Sequence, residues 1–248
     1  MWSIYASEVA ALIDKHVWQN KYETIMKILD RNGHVKYESR NTKAVKLVTK
    51  KLELSTSAAP LTTVKLQKAV EKGLEQKKLS GEEAQIVLSQ AVAIENQTTG
   101  THAEKVLVKT EDIKDNNRKL YEEELSENCV LIGRCDGMRN GKLVEIKRRT
   151  RTINMHQVVP EYDYVQCFCY LKLTGQTEMT MIEIDNKKNQ RDTTIVWNER
   201  RWTEIEQAIL QTIHALDLLV ENERKLHEFN AAGQAQDWSQ CQQVWYRV

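Results

Sequence analysis

Apolar residues recur at three- and four-residue intervals through the first 110 positions, which is the spacing of helices that bury one face. Val9, Leu12 and Ile13 show the pattern in the first of these segments. Ser80 and Glu83 form a capping box that opens a helix at about Gly81 and runs to about Gly100, where a further helix starts. The pattern therefore predicts a helical N-terminal half, with helices over 8–16, 21–30, 42–52, 63–78 and from 81 onward.

Beyond residue 110 the period shortens to the alternation that is typical of strands. Strands are predicted over 119–124, 129–137, 142–148, 178–185 and 193–197, with a helix over 162–174. A long amphipathic helix follows, and its buried side is predicted to carry Ile205, Ile209, Ile213, Leu216 and Val220. This order predicts an α+β fold in which helices flank a central mixed sheet.

The elements divide the chain into one domain and a tail. We expect residues 1–230 to form a single domain, in which 1–110 are the helical part and 111–230 hold the sheet and its helices. Residues 231–248 are polar, with few large anchors such as Trp238 and Trp245, and are predicted to be a C-terminal tail.

Composition narrows the class of protein. Of 248 residues, 41% are apolar and 29% are charged, as in soluble globular proteins. No apolar run approaches the roughly 18 residues that a membrane span needs, and residues 1–5 lack the features of a secretory signal. The five cysteines, an odd number, indicate buried free thiols in a reducing compartment. We expect an intracellular protein of the cytoplasm or nucleus.

The net charge of +1 conceals two basic clusters. Residues 36–51 hold six basic residues and one acid, and residues 142–151, which include Arg148, hold five basic residues and one acid. Within the first cluster Lys43, Lys46 and Lys50 form one helical stripe. Such clusters are typical of surfaces that face a polyanion, and solvated helix faces are the alternative.

A hairpin over residues 133–147 carries the main chemical signal. Asn140-Gly141 between two strands predicts a two-residue type I′ turn. Counting back from this turn pairs Gly137 with Val144 and places Asp136 opposite Glu145. Carboxylates in that position repel one another, and a divalent cation would offset the repulsion.

Side-chain alternation places four charged residues on one face of this hairpin. They are Arg134, Asp136, Glu145 and Lys147. A solvated face with surface ion pairs would explain the lysine and the arginine but not the opposed acids. The pattern therefore favours a metal site.

The same residues resemble a known superfamily. Asp136, followed after eight residues by Glu145-Ile146-Lys147, resembles the D…(D/E)xK signature of the PD-(D/E)XK nucleases, with Cys135 in place of the usual proline. Three further segments resemble the lambda-exonuclease-like branch, which includes the YqaJ-type viral recombinases: Ala6-Ser7-Glu8-Val9, the G-x-x-x-E segment at 100–104, and the QxxxY segment from Gln166 to Tyr170. The motifs stand in family order, and the resemblance implies a fold of the restriction-endonuclease type.

The resemblance implies a catalytic centre. Asp136, Glu145 and the carbonyl of Ile146 would hold Mg²⁺, for which Mn²⁺ could substitute, and Glu104 would be a third carboxylate. Lys147 would orient the attacking water. The alternative for Glu104 is an ordinary glutamate on a helix surface. His102 is read as structural or substrate-facing, because two residues along a helix turn the side chain by roughly 200° away from the Glu104 face.

The remaining assignments concern the substrate. Gln166 would position the water or the scissile phosphate, and Tyr170 shares its helix face; packing beside the core is the alternative for both. Ser7 would help to bind a terminal 5′-phosphate. In the family an arginine lies a few residues upstream of this serine. Residues 1–5 contain no arginine, and Arg134 is therefore the candidate that would replace it. A salt bridge to an acid is the alternative for Arg134.

Together the motifs predict a Mg²⁺-dependent DNA exonuclease that acts in recombination or repair. Its partner would be DNA, with duplex ends favoured; a single-strand annealing protein and further copies of the chain are open protein partners. A structure-selective or single-strand nuclease on the same core, and a non-catalytic basic DNA-binding accessory protein, are the alternatives.

Overall fold

A computed structural model describes residues 1–56, 59–115, 119–149 and 158–248. Arg151 of the second basic cluster lies outside these ranges. Helices and strands alternate along the chain as predicted for the α+β class, and the N-terminal half is mainly helical.

The helices take up most of the described residues. Their bounds are α1 Ala6–Leu12, α2 Lys21–Arg31, α3 Arg40–Lys50, α4 Thr63–Glu75, α5 Gly81–Ser89, α6 Ala91–Thr110, α7 Glu161–Thr174, α8 Glu199–Glu221, α9 Glu223–Ala235 and α10 Trp238–Trp245. Polar side chains begin several of them: Asn20, Ser39 and Thr62 each accept a backbone N–H of the first turn. The predicted capping box at Ser80 and Glu83 is confirmed.

The strands form two mixed sheets. Their bounds are β1 Trp2–Tyr5, β2 Lys114–Asp115, β3 Tyr121–Ser126, β4 Cys129–Gly133, β5 Gly137–Arg139, β6 Lys142–Arg148, β7 Glu178–Ile184 and β8 Gln190–Val196. The first sheet has the order β1-β4-β3, and the second has the order β2-β5-β6-β7-β8. Strand β1 is parallel to β4, and β6 is parallel to β7. The chain passes from one sheet to the other at residues 134–136.

Several predicted boundaries are wrong. The first helix, predicted over 8–16, ends at Leu12. The strand predicted over 129–137 is divided into β4 and β5, because pairing with a partner strand stops on either side of residues 134–136. The helix end predicted near Gly100 falls inside α6, and the break lies instead at Gln90. The buried residues Ile94, Thr98 and Leu107 continue on both sides of Gly100, so packing carries the helix through a residue of low helix propensity.

Three apolar clusters hold the elements together. The largest lies where α1, α7 and α8 cover the two sheets, and it includes the predicted stripe of α8. A second cluster is built by α3, α4, α5 and α6. The third lies between α6 and the opposite face of β6 and β7. Strand β6 is therefore covered on both faces, as strands in the middle of a sheet usually are.

The C-terminal residues belong to the main core. Residues 231–248, which the sequence set apart as a polar tail, form the end of α9 and all of α10. Cys241 and Val244 are fully buried there against Phe229 and its neighbours. Among the described residues, no helix combines the length and apolar character that crossing a membrane requires.

Candidate active site

The predicted hairpin is present, and its register is confirmed. Asn140 and Gly141 have φ values of 52° and 79°, which is the left-handed backbone that a type I′ turn needs. Met138 pairs with Leu143, and Gly137 pairs with Val144. The ladder ends there, so Asp136 lies just beyond the last pair instead of directly opposite Glu145.

The side chain of Asp136 replaces a backbone hydrogen-bond acceptor in the sheet. Its Oδ2 accepts the N–H of Ile146 at 2.7 Å, where a longer β5 would supply a carbonyl. Since the N–H and C=O of one residue point to the same strand edge, the Ile146 carbonyl also faces the gap where β5 ends. A carboxylate and a carbonyl oxygen are thereby brought to one edge of β6.

Glu145 is buried on the face of β6 that α7 covers. Its Oε1 lies 2.7 Å from Lys147 Nζ and accepts a hydrogen bond from Gln166 Nε2 at 3.0 Å. Its Oε2 is buried and has no hydrogen-bond partner among the described residues. Because an unsatisfied buried carboxylate oxygen is costly, a ligand is the natural partner for this atom.

Lys147 is held by three groups. Its Nζ donates to Gln166 Oε1 at 2.7 Å, pairs with Glu145, and lies 3.7 Å from Asp163 Oδ1. Gln166 Nε2 also donates to Tyr170 Oη at 2.9 Å, so the predicted pair on α7 does share one face. The amide of Gln166 thus links the lysine to the acid.

Burial shifts both hairpin acids toward the neutral form. Burial and then the charge of Glu104 raise the pKa of Asp136 to about 6, against the hydrogen bond from Ile146. Burial and then the charge of Asp136 raise the pKa of Glu145 to about 8, although Lys147 opposes this shift. For Lys147, burial works to lower the pKa, but the charges of Glu145 and Asp163 outweigh it and raise the pKa. The lysine therefore stays charged.

Glu104 on α6 reaches the same group. Burial and the charge of Glu145 raise the pKa of its carboxyl. His102, two residues earlier, is exposed, which agrees with the prediction that the two side chains lie on different faces. Within the part of the chain that the structure describes, no three carboxylate, imidazole or thiol side chains are arranged to hold a metal ion by themselves.

A second buried network, which the sequence did not predict, supports Lys147. Arg149 donates to Asp163 Oδ2 at 2.7 Å and to Glu183 Oε1 at 2.8 Å. Arg191 on β8 donates to the other oxygen of Glu183. The available signal was Glu183 between the apolar residues Ile182 and Ile184 of strand β7. A buried acid of this kind needs a cation nearby.

His16 also lies beside this network and was not predicted. Its ring stacks on Tyr162 at a centroid distance of 4.6 Å. Burial lowers the pKa of His16, and the charges of Asp163 and Lys147 act on it in opposite directions. The loop between α1 and α2 therefore borders the group around Lys147.

Ser7 and Arg134 line one cavity of about 320 Å³, together with Tyr5 and Tyr170. Arg134 is exposed, so its side chain points away from the core, as the predicted alternation along the strand requires. Tyr170 connects this cavity to the site, because its hydroxyl accepts from Gln166. Two residues far apart in sequence thus meet beside the carboxylate site.

The Ala6-Ser7-Glu8-Val9 segment is fixed by an arginine that follows it. Arg31 Nη1 donates to Glu8 Oε2 at 2.9 Å and to the Ser3 carbonyl at 2.8 Å, and its guanidinium lies 4.1 Å from the Tyr5 ring centroid. Glu8 also accepts the Tyr5 N–H at 3.1 Å. This contact set holds the start of α1 against β1, beside the cavity.

The other predicted DNA contacts lie elsewhere on the molecule. Arg148 alternates with Lys147 along β6, and it donates to Asn186 Oδ1 at 2.6 Å. Lys43, Lys46 and Lys50 lie on the exposed face of α3, where Lys46 pairs with Glu38. The structure thus does not bring these four cations to the carboxylate site.

The cysteines are buried as predicted. All five are free thiols without solvent contact. Cys135 contributes to the main core, and burial followed by the charge of Glu145 raises the pKa of its thiol. This position, directly before Asp136, is therefore a packing position.

Comparisons with known proteins give a distant structural likeness. No protein-family model and no curated protein sequence matches the chain. Among solved structures, the chain is similar to an alkaline exonuclease (LHK-Exo) from Laribacter hongkongensis, with 16% identity, 88% of this chain and 90% of that chain covered, and a TM-score of 0.44. A second structure, LHK-Exo in complex with dAMP, has 15% identity, covers 88% of this chain and 89% of that chain, and has a TM-score of 0.46.

Proposed function

We propose that this protein is a Mg²⁺-dependent exonuclease that hydrolyses phosphodiester bonds at DNA ends. The observation that carries the proposal is the half-buried Asp136 and the buried Glu145 beside the charged Lys147, with Glu145 Oε2 unpartnered among the described residues. Two acids whose pKa values are raised by burial and by a neighbouring carboxylate would be stabilised as anions by a divalent cation.

The donor set suits a hard cation. Mg²⁺ typically binds through one or two carboxylates and keeps several waters. Asp136, Glu145 Oε2 and the carbonyl of Ile146 would supply all-oxygen ligands, and Glu104 would contact the ion directly or through water. When bound, the ion would lower the pKa of a coordinated water and offset charge on the phosphate. Mn²⁺ has the same preference for oxygen ligands and would substitute.

Lys147 would act as a fixed cation and not as a general base. Its raised pKa keeps the amine protonated, and Gln166, Glu145 and Asp163 fix its position. A preorganised positive charge stabilises negative charge that develops during the reaction. Gln166 would hold the amine and orient the water or the scissile phosphate.

The cavity of Ser7 and Arg134 would receive the phosphate at a DNA end. A guanidinium binds phosphate oxygens in pairs, and a serine hydroxyl adds a donor. Arg134 has the exposure that such a contact needs. If so, Arg134→Ala should remove a preference for 5′-phosphorylated ends and leave cleavage of unphosphorylated ends largely unchanged.

Recombination or DNA repair would be the cellular setting, with duplex ends as substrate and a single-strand annealing protein or further copies of the chain as partners. The exposed lysines of α3 would add a surface that follows the phosphate backbone. A structure-selective or single-strand nuclease on the same core and a non-catalytic basic DNA-binding accessory protein are the competing functions.

The test compares end-labelled linear duplex, with and without a 5′-phosphate, with circular DNA. We expect shortening of the linear duplex in Mg²⁺, no reaction in EDTA and no reaction on the circle. Asp136→Asn should abolish cleavage, whereas Glu71→Gln, an exposed acid on α4, should not. Cleavage of the circle would favour the structure-selective alternative, and binding without cleavage would favour the accessory protein.

A further inference from the structure

The loop over residues 14–20 presents two large apolar side chains to water. Trp18 is 81% exposed and Val17 is 73% exposed. Tryptophan is highly buried on average, so two adjacent apolar side chains this open make the loop a candidate contact surface.

The backbone of this loop is fixed although its apolar side chains are open. His16 Nδ1 accepts the N–H of Trp18 at 3.1 Å and the N–H of Gln19 at 2.9 Å. Lys21 pairs with Asp14 at 2.6 Å across the ends of the loop. A ring carried on a fixed backbone loses little freedom when it binds, which favours a contact made by stacking.

The loop adjoins the catalytic lysine through a short series of contacts. His16 stacks on Tyr162, and the next residue, Asp163, lies 3.7 Å from Lys147 Nζ. Consecutive Cα atoms are about 3.8 Å apart, so the Trp18 backbone lies within about 8 Å of the His16 backbone. Trp18 thus lies two residues from His16, on the loop that borders the group around Lys147.

The side chains of the loop over residues 14–20 have the chemistry that binds a nucleic-acid strand. Lys15, also exposed, places a cation in the same loop. An aromatic ring next to basic groups is the usual arrangement for holding single-stranded DNA, because the ring stacks on a base while the cations contact phosphates. A base inside a duplex is already stacked on its neighbours, and therefore an unpaired base is the fitting occupant.

We propose that Trp18 stacks on an unpaired base of the DNA strand that occupies the active site. This inference rests on the proposed nuclease function and adds a feature of its substrate, namely that the end is opened next to the cleaved bond. It assigns Trp18 to substrate positioning, with His16 as the residue that fixes its backbone.

The test uses binding without metal, so that the DNA stays intact. A fluorescent oligonucleotide with a single-stranded end is titrated in EDTA, and an abasic site is moved one position at a time from that end. We expect one position at which the missing base weakens binding by roughly 5- to 150-fold, as expected for one base stacked on an aromatic ring. Trp18→Ala should weaken binding of the intact oligonucleotide by the same factor.

Combining Trp18→Ala with the abasic oligonucleotide tests whether both changes remove the same contact. With Trp18→Ala, the abasic site at that position should cause no further loss, and Trp18→Phe should recover most of the affinity. Val92→Ala, which removes a 64% exposed side chain about 18 Å along α6 from Glu104, is the control and should bind like the unmutated protein. Additive losses at every position, or unchanged binding by Trp18→Ala, would overturn the proposal and leave a protein partner as the occupant.

Failure of this inference differs from failure of the nuclease function. If the unmutated protein shortens linear DNA in Mg²⁺ but the abasic profile is flat, only the stacking role is wrong. If the abasic profile has the expected position but no DNA is cleaved in Mg²⁺, Trp18 contacts a base in a binding protein and the nuclease function is wrong.

Discussion

At the scale of single residues, the site is defined by opposing charges in a buried space. Burial raises the pKa of both Asp136 and Glu145, the charge of Asp136 raises the pKa of Glu145 further, and Lys147 acts in the opposite direction on both. Glu145 divides its two oxygens, with one bound by Lys147 and Gln166 and the other unpartnered among the described residues. The protein therefore fixes Oε1 and leaves Oε2 open to a ligand.

The first prediction concerns Lys147. Replacement by methionine keeps the length of the side chain and removes the charge, and we expect cleavage to fall by roughly 10²- to 10³-fold, as for loss of one preorganised electrostatic group. Mg²⁺ binding, measured by calorimetry, should persist because the acids remain. Lys109→Met, at an exposed position of α6, is the control. A fully active Lys147→Met would remove the lysine from the mechanism.

The second prediction concerns pH and stability without metal. The pKa of Asp136 rises from 3.8 to about 6 on folding, and that of Glu145 rises from 4.5 to about 8. The folded state therefore binds more protons than the unfolded state between these values, and the free energy of unfolding should fall as pH rises from about 4 to 8.

Asp136→Asn tests this dependence. The amide keeps an acceptor for the Ile146 N–H but cannot ionise. At pH 8 the metal-free variant should be more stable than the unmutated protein by about 2–3 kcal/mol, since one pKa unit corresponds to about 1.4 kcal/mol. Denaturant titrations at several pH values in EDTA measure the effect, with Glu71→Gln as the control. An unchanged pH dependence in Asp136→Asn would contradict the electrostatic account.

At the scale of elements, α6 and α7 deliver side chains to the hairpin from its two faces. Helix α7 covers Glu145 and supplies Gln166, Tyr170 and Asp163. Helix α6 packs Leu107 against Val144 and Ile146, and carries Glu104 one turn earlier. The site therefore depends on α6 being one continuous helix through Gly100.

The third prediction uses two glycines with opposite surroundings. A Cβ at Gly100 would meet no atom within 4 Å, whereas a Cβ at Gly133 would lie 2.6 Å from Leu173 and 2.9 Å from Tyr170 on α7. Gly100→Ala should stabilise the protein by about 0.5–1 kcal/mol, since alanine is the better helix former. Gly133→Ala should destabilise it by roughly 1–3 kcal/mol through overpacking. Thermal unfolding of both variants measures this, and destabilisation by Gly100→Ala would argue against a continuous α6.

At the scale of the whole molecule, the charges separate into the buried group around Lys147 and exposed basic surfaces. The buried group joins β6, β7, β8 and α7 through Arg149, Asp163 and Glu183. The α3 stripe lies on the second apolar cluster, whose other helices include α6. Helix α6 is thus the element shared by the basic surface and the acids.

The fourth prediction concerns that basic surface. Lys46 is paired with Glu38, so we expect Lys43 and Lys50 to make the phosphate contacts. Replacing both by glutamine should reduce the slope of log K against log salt by about 1.8, which is about 0.9 for each contact with duplex DNA. Lys68 and Lys72 on α4 provide a matched pair of exposed lysines as the control. A slope equal to that of the unmutated protein would make the stripe a solvated face only.

The sequence alone determined the local part of the site. The Asn140-Gly141 turn and strict alternation along β6 set the register that brings Asp136 beside Glu145 and Lys147, because a two-residue turn leaves no freedom in the pairing. Helix caps and apolar spacing likewise located most helices of the N-terminal half within a few residues. These features depend on interactions between residues near one another in the chain.

The tertiary structure decided everything that joins distant segments. It broke the strand at 134–136, where the Asp136 side chain replaces a backbone acceptor, and carried α6 through Gly100, because buried contacts outweigh helix propensity. It also brought Ser7 to Arg134, His16 to Tyr162, and Arg149 between Asp163 and Glu183. Periodicity reports which face of an element is buried, whereas the identity of the residues packed against that face follows only from the fold.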